Sequence, residues 1–279
     1  MILIKTLKIL FFLIIVSYQL IAQQLTAASA KFVVDSYSLE KSRSIPIGIL
    51  VELEKGWHLY WRNSGDTGMP TTVEFDLPEG ITVSEIQWAV PKVFEFDGLA
   101  SFGYEKQVPL LTELIIPENY QSNSVSVTAK LKSLICKDVC IPFNTTISKE
   151  IILMNNFPAD DDVSTLFAQT RKNLPEVKNG FELSFTPDED FITLIIQSLN
   201  LDLIKINSLY FLPYDNGIFK NTAEQNYKVK DDSIELKLEY DHFKTKELRE
   251  LLGILVFQFD DTAQSQKAYK IKKQINTNN

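Results

Sequence analysis

Apolar and polar residues alternate along much of the chain, which is the pattern of β-strands that bury one face. The alternation is clear in residues 44–53, 72–77 and 124–131. Turn-forming residues separate such segments, at positions 63–66, 78–80, 97–98 and 117–119. Many short strands with frequent turns predict a β-sandwich for the first half of the chain.

A polar stretch at residues 155–162, which contains Pro158, interrupts this pattern. We expect a domain boundary there, because linkers are commonly polar and proline-containing. The predicted domains are residues 23–156 and residues 157–279. About 257 residues beyond a leader of 22 are enough for two domains of common size.

The second domain is predicted to begin with a short helix, from about residue 163 to residue 173. An aspartate is available to cap its start, and Leu166, Phe167 and Thr170 fall on one face. Strand patterns then resume at 181–185, 191–197, 208–212, 233–238 and 254–259. The fold class predicted for the whole chain is therefore all-β, a β-sandwich followed by a second, mostly β domain.

The N-terminus has the pattern of a secretory signal peptide. Lys5 and Lys8 precede an apolar run at residues 9–16, and the small residue Ala22 offers a cleavage site. The run is short for a membrane span of about 20 residues, so we expect cleavage of residues 1–22. An uncleaved anchor is the alternative.

The rest of the chain carries no segment of transmembrane length, so no membrane span is expected in the mature protein. The net charge is −8, and loss of Lys5 and Lys8 takes it to −10. An acidic chain is a poor candidate for binding nucleic acid, and we expect no such partner.

Cys136 and Cys140 are the only two cysteines. In an oxidising compartment they have no other partner within the chain. Residues four apart in an extended strand lie about 13 Å apart, whereas a disulfide needs Cα atoms about 4.4–6.8 Å apart. The segment between the cysteines is therefore predicted to turn.

Three uses of this pair stay open at this point. A ring this small stabilises the fold by only about 2 kcal/mol in the chain-entropy treatment, which favours a redox-active pair over a structural one. An inert local disulfide is the second possibility. A metal site is the third, but it would need further ligands, and the only histidines are His58 and His242.

Four stretches of the first half, 56–70, 87–92, 102–105 and 136–142, resemble the N-terminal periplasmic domain of the DsbD/ScsB thiol:disulfide interchange proteins. Residues 211–217 and 248–256 of the second half resemble ScsB-like proteins. The cysteine spacing is closer to the ScsB-like branch than to DsbD proper. The resemblance implies an immunoglobulin-like sandwich in the periplasm.

The resemblance also implies a function in electron transfer. A membrane-embedded thiol reductase would reduce the cysteine pair, which would then reduce oxidised periplasmic thiol proteins, without any cofactor. The sequence holds neither the multi-span membrane region nor the thioredoxin-like domain of the family. We therefore expect the reductase to be a separate chain.

By the same resemblance, Cys140 is the thiol that meets the partner and Cys136 is the resolving thiol. Phe96 matches the aromatic residue of a cap loop that shields the pair, although it is equally an ordinary apolar contact under a turn. Tyr60 and His58 fall where the family places aromatic residues beside the pair. Tyr60 is alternatively a core residue, and His58 a solvated one.

Two rival functions remain. One is a binding or assembly module in which the disulfide is inert. The other is copper handling, because some ScsB-like systems are linked to copper stress and thiolates suit Cu(I). Met69 and Met154, the only methionines of the mature chain, form no cluster in sequence.

Overall fold

The computed structural model describes residues 27–177, 181–198, 206–230, 232–259 and 266–275. The predicted signal peptide, residues 1–22, lies outside them. Within the described residues, no helix combines the length and the apolar character that a membrane crossing requires.

Ten strands form the first part of the structure, which we call the N-terminal sandwich. They are β1 (Ala28–Val34), β2 (Ser44–Leu53), β3 (His58–Gly65), β4 (Thr72–Asp76), β5 (Thr82–Val83), β6 (Lys92–Phe96), β7 (Leu99–Glu105), β8 (Gln107–Ile115), β9 (Ser124–Cys136) and β10 (Cys140–Ile152). One sheet has the order β1-β2-β8-β5, and the other has the order β10-β9-β3-β7-β6, with β4 also paired to β9. The immunoglobulin-like sandwich predicted from the sequence is confirmed.

The core of this sandwich lies between its two sheets. Ile49 of β2 and Leu110 of β8 pack against Leu59 of β3 and Leu131 of β9, and all four are almost fully buried. Burial of side chains of this size contributes about 1.5–3 kcal/mol each. The alternating pattern of β9, in which Val125, Val127, Ala129 and Leu131 are buried, is the basis of its prediction as a strand.

A single helix is present in the described part of the chain, α1 (Asp161–Lys172). It lies within two residues of its predicted bounds, with Phe167 and Thr170 buried. Phe167 packs on the outer side of the first sheet, against Leu50 and Leu111. The expected aspartate occupies the N-cap, but Asp160 makes no capping hydrogen bond with its side chain.

Seven further strands form what we call the C-terminal sheets. They are β11 (Phe181–Pro187), β12 (Phe191–Ser198), β13 (Ser208–Pro213), β14 (Tyr227–Lys230), β15 (Ser233–Glu239), β16 (Glu250–Gln258) and β17 (Gln266–Gln274). They pair in the orders β11-β12-β15-β14 and β13-β16-β17. Leu194 and Leu236 of one sheet pack against Phe211 and Leu255 of the other.

The C-terminal sheets contact the N-terminal sandwich through β3 and β7. Trp61 and Phe102 pack against Leu212, Ile254 and Val256. Strand β16 is thus buried on both faces, because Leu255 and Phe257 face the other C-terminal sheet. Helix α1 packs on the N-terminal sandwich, and β16 contacts the sandwich as well. The domain boundary between residues 156 and 157 stays a prediction.

Candidate functional site

The two cysteines lie opposite each other at the end of a hairpin. Cys136 ends β9, Cys140 begins β10, and the two residues are register partners with a Cα–Cα distance of 4.1 Å. Residues 137–139 make the turn, in which Lys137 N–H donates to the Val139 carbonyl. A disulfide joins the pair, whose Cα–Cα distance is slightly below the usual range of about 4.4–6.8 Å.

The two sulfur-bearing residues differ in accessibility. Cys136 is only 3% exposed, because it continues the buried face of β9. Cys140 is exposed, as are all three residues of the turn, and the Val139 side chain is 63% exposed. A second protein approaching this end of the sandwich therefore meets Cys140 before Cys136.

Tyr60 reaches the disulfide from the middle of β3. Its hydroxyl lies 3.1 Å from Cys136 Sγ and 3.9 Å from Cys140 Sγ. The ring is 2% exposed. The phenol is thus both a core side chain, as one reading of the sequence expected, and the hydrogen-bond donor to the buried sulfur.

Two neighbours hold Tyr60 in place. Thr71 donates its hydroxyl to the Tyr60 carbonyl at 2.6 Å and shares a 2.7 Å contact with the Ser133 hydroxyl. Gly68, at φ +81°, lies on the ring face so closely that an added Cβ would come within 2.1 Å of it. Only glycine fits at this position, for steric and conformational reasons. Gly68, Thr71 and Ser133 were not identified from the sequence.

His58, two residues earlier on β3, is the register partner of Cys136 on one side and of Glu105 on the other. Its ring stacks on Phe94 at a centroid distance of 4.7 Å and meets the Tyr60 ring edge-on at 5.2 Å. Burial of the imidazole lowers the pKa of His58 below its usual value of 6.5, and the Glu105 carboxylate partly opposes this. The burial of His58 therefore favours its neutral form at pH 7.

The aromatic neighbour of the site on β6 is Phe94. Phe96, which the resemblance implies as a shield, is 85% exposed at the tip of the hairpin between β6 and β7. A side chain this exposed covers little of any neighbour, and its shielding role stays a prediction. Side chains two apart on a strand share a face, so the sequence alone does not distinguish Phe94 from Phe96.

The charges around the site are few. Glu105 is bound by Lys92 at 2.5 Å, and this hydrogen bond lowers the pKa of the Glu105 carboxyl. Among the described residues, no group of three or more His, Cys, Asp or Glu side chains is arranged to hold a metal ion.

Fold and site together define an immunoglobulin-like domain with a disulfide across the end of a hairpin, between one exposed cysteine and one buried cysteine. Residues 22–151 match the family described as "Thiol:disulfide interchange protein DsbD, N-terminal". This part of the chain therefore belongs to the family of DsbD N-terminal domains.

The N-terminal periplasmic domain of ScsB from Proteus mirabilis has a similar structure, with a TM-score of 0.62 at 18% sequence identity. The similarity covers 90% of this chain and 95% of that one. At this identity it shows a shared fold, and it includes the C-terminal sheets. No curated protein sequence matches the chain.

Proposed function

We propose that this protein is an exported thiol–disulfide interchange protein. A membrane-embedded thiol reductase, encoded as a separate chain, reduces the Cys136–Cys140 disulfide. The dithiol then reduces oxidised thiol proteins of the periplasm. Membership of residues 22–151 in the DsbD N-terminal family supports a role in thiol–disulfide interchange.

The observation that carries the proposal is the unequal exposure of the two cysteines. Exchange requires a thiolate to attack one sulfur of a disulfide through a mixed disulfide. Cys140 is open to such an attack, while Cys136 is 3% exposed beneath the turn. This difference in exposure supports Cys140 as the cysteine that forms the mixed disulfide and Cys136 as the one that resolves it.

The Tyr60 hydroxyl supports the same assignment. It lies 3.1 Å from Cys136 Sγ, in a position to donate to the thiolate that forms there. Hydrogen bonds to charged groups are stronger than those between neutral groups, at about 1.5–3 kcal/mol. A purely structural disulfide needs no donor aimed at one of its sulfurs.

The reduction potential of the pair tests the proposal. The mature protein is equilibrated in glutathione or dithiothreitol buffers and the fraction of free thiol is measured. Because the chain has only two cysteines, the whole signal comes from this pair. A value between about −180 and −270 mV, the range of exchange proteins, is expected. A value below about −300 mV would instead mark an inert disulfide.

A trapping experiment then identifies the partners. In a Cys136→Ala variant, Cys140 attacks a partner and the mixed disulfide cannot resolve. We expect covalent complexes that dissociate on reduction. The Cys140→Ala variant is the matched control, because its remaining thiol is buried and should trap nothing.

A further inference from the structure

One side-chain nitrogen beside the disulfide has no hydrogen-bond partner in the oxidised protein. The Nε2 atom of His58 is buried and makes no hydrogen bond. Buried polar atoms are nearly always paired, so each exception in a native structure needs a reason. The position of His58 in the fold supplies such a reason, because His58 is the register partner of Cys136.

Directly opposed residues on neighbouring antiparallel strands have Cβ atoms about 4.5–5.5 Å apart and project from the same face. The imidazole of His58 and the sulfur of Cys136 therefore share one corner of the site. The Phe94 ring covers one face of the imidazole, and the Tyr60 ring meets it edge-on. These two rings fix the plane of the imidazole.

We propose that His58 Nε2 accepts the proton of the Cys136 thiol in the step that releases the partner. This role rests on the proposed function, since it describes one step of the exchange. In the disulfide, Cys136 carries no proton, and the acceptor is unpaired. Reduction creates an S–H donor, so the unpaired atom gains its partner only in the dithiol form.

The step balances as follows. The Cys140 thiol releases its proton to water, and its thiolate attacks a disulfide of the partner protein. The partner's first sulfur leaves as a thiolate that takes a proton from water. Cys136 then gives its proton to His58 Nε2, and its thiolate attacks Cys140 Sγ. The intermolecular S–S bond breaks as the Cys136–Cys140 bond forms. The partner's second sulfur leaves as a thiolate and receives the proton from His58.

In total the two thiols of this protein are oxidised to a disulfide, and one disulfide of the partner is reduced to two thiols. Two electrons and two protons reach the partner. Neutral imidazole is the form that can accept a proton, and the partial burial of His58 favours that form at pH 7.

The charged and titratable groups around His58 fit this role. Glu105 on β7 is the other register partner of His58, and its carboxylate favours the imidazolium that forms during the step. Lys92 on β6 binds Glu105, and Lys106 lies next to it in sequence. On β3, the Tyr60 hydroxyl donates to Cys136 Sγ, so the sulfur that loses its proton already has a hydrogen-bond donor.

A stopped-flow experiment separates the two steps. The reduced protein is mixed with dithiobis(nitrobenzoate), an aromatic disulfide that releases one coloured thiolate at each step. The first release reports attack by Cys140, and the second reports displacement by Cys136. Two variants are compared with the wild type, His58→Gln and His58→Phe. The second keeps an aromatic ring against Phe94 but has no acceptor.

We expect both variants to slow the second release about tenfold or more at pH 7, because a positioned acid–base group contributes about 10²–10⁴-fold to a rate. The first release should change less than twofold. In the wild type, the second release should also slow as the pH falls through the pKa of His58, and this inflection should vanish in both variants. The control is His242→Gln, which removes the only other histidine, an exposed one.

An unchanged second release in both variants, with two clear phases in the wild type, would overturn the role of His58 and leave the exchange function standing. A wild-type protein that releases no thiolate would overturn the exchange function and this role together. Equal slowing of both phases in the His58 variants would also overturn the role of His58, because a change in packing alone affects both steps.

Discussion

The N-terminal sandwich and the C-terminal sheets differ in how their polar groups are paired. The C-terminal sheets hold a cavity of about 560 Å³, whose walls include Phe191 and Tyr240. Two lysine ammonium groups of this cavity already contact aromatic rings of the same chain. Lys237 lies over the Phe191 ring at 3.3 Å, and Lys244 lies over the Tyr240 ring at 4.6 Å.

The disulfide end of the N-terminal sandwich has the opposite character. It combines an exposed Cys140, a hydroxyl aimed at the sulfur of Cys136, and an imidazole nitrogen without a partner. Groups left without a partner inside a fold are costly, and they persist where chemistry needs them. Two other buried side-chain atoms of the described residues, Ser38 Oγ and Trp61 Nε1, also lack a hydrogen bond. The disulfide end is therefore distinguished by the combination of an exposed cysteine, a hydroxyl donor and an unpaired imidazole nitrogen.

The largest expected difference between the two regions comes from removing one side chain from each and measuring the rate of exchange. Cys140→Ala should abolish exchange with a small aromatic disulfide, because the remaining thiol is buried. Lys237→Ala, in the C-terminal cavity, should leave the exchange rate within about twofold, as expected for a surface change away from the reaction. Stopped-flow absorbance measures both rates. Loss of exchange in the Lys237 variant would show that the cavity takes part in the chemistry.

Gly68→Ala should destabilise the N-terminal sandwich. A residue with a side chain at positive φ costs about 1–3 kcal/mol, and the new Cβ would also come within 2.1 Å of the Tyr60 ring. Urea unfolding measures the change. Gly98→Ala is the control, since it has φ +75° but nothing within 4 Å of an added Cβ. Equal losses in the two variants would mean that the contact with Tyr60 is unimportant.

Tyr60→Phe should make the pair slightly more reducing. The sulfur of Cys136 carries more electron density after reduction than in the disulfide, so the hydroxyl hydrogen bond stabilises the reduced form more and its removal disfavours that form. A difference of about 1 kcal/mol corresponds to about 20 mV toward negative potential. Equilibration with glutathione measures the shift.

Tyr104→Phe is the matched control for this potential, because the Tyr104 hydroxyl donates to the Ala89 carbonyl at 2.7 Å and not to a sulfur. It should cost stability and leave the potential unchanged. A shift of equal size in both variants would assign the effect to packing rather than to the hydrogen bond.

The smallest expected effect is on the pH dependence of stability. The pKa of His58 is lowered in the folded protein, so below pH 6.5 the unfolded chain takes up a proton that the folded chain does not. Stability is therefore full above pH 6.5 and falls as the pH drops from there toward the folded pKa. Urea unfolding at pH 7.5 and 5.5 should show a smaller fall for His58→Gln than for His242→Gln. An identical fall in both variants would contradict it.

The sequence predicted the strands whose faces are cleanly amphipathic, such as β2 and β9. It did not mark β10 or β17. Strand β10 alternates mainly between exposed and half-buried positions, with Ile141, Phe143 and Ile147 partly buried on one face, and β17 has adjacent buried residues, Ala268 and Tyr269. Their partners impose the strand conformation by hydrogen bonding along β9 and β16. Each of these strands pairs with the strand just before it in the chain, and because strand formation depends on such neighbours, the signal in the strand's own sequence is weak.

The candidate site shows the same division. Cys136, Cys140, Tyr60 and His58 were all expected at the pair by resemblance, and the structure brings these four together. Phe94 was overlooked in favour of Phe96, because sequence spacing does not say which of two alternate residues faces a neighbouring strand. Thr71 and Gly68 were overlooked because their role is defined by contact with Tyr60 alone.

By itself, the sequence determined the all-β class, the helix near residue 160, the pairing of the only two cysteines and the need for a turn between them. These follow from local periodicity, composition and chain geometry. Only the tertiary structure decided which cysteine is exposed and which one has the Tyr60 hydroxyl at hydrogen-bond distance from its sulfur. It also left His58 Nε2 buried without a hydrogen bond. Burial and hydrogen bonding depend on residues far apart in the chain, and only folding brings those residues into contact.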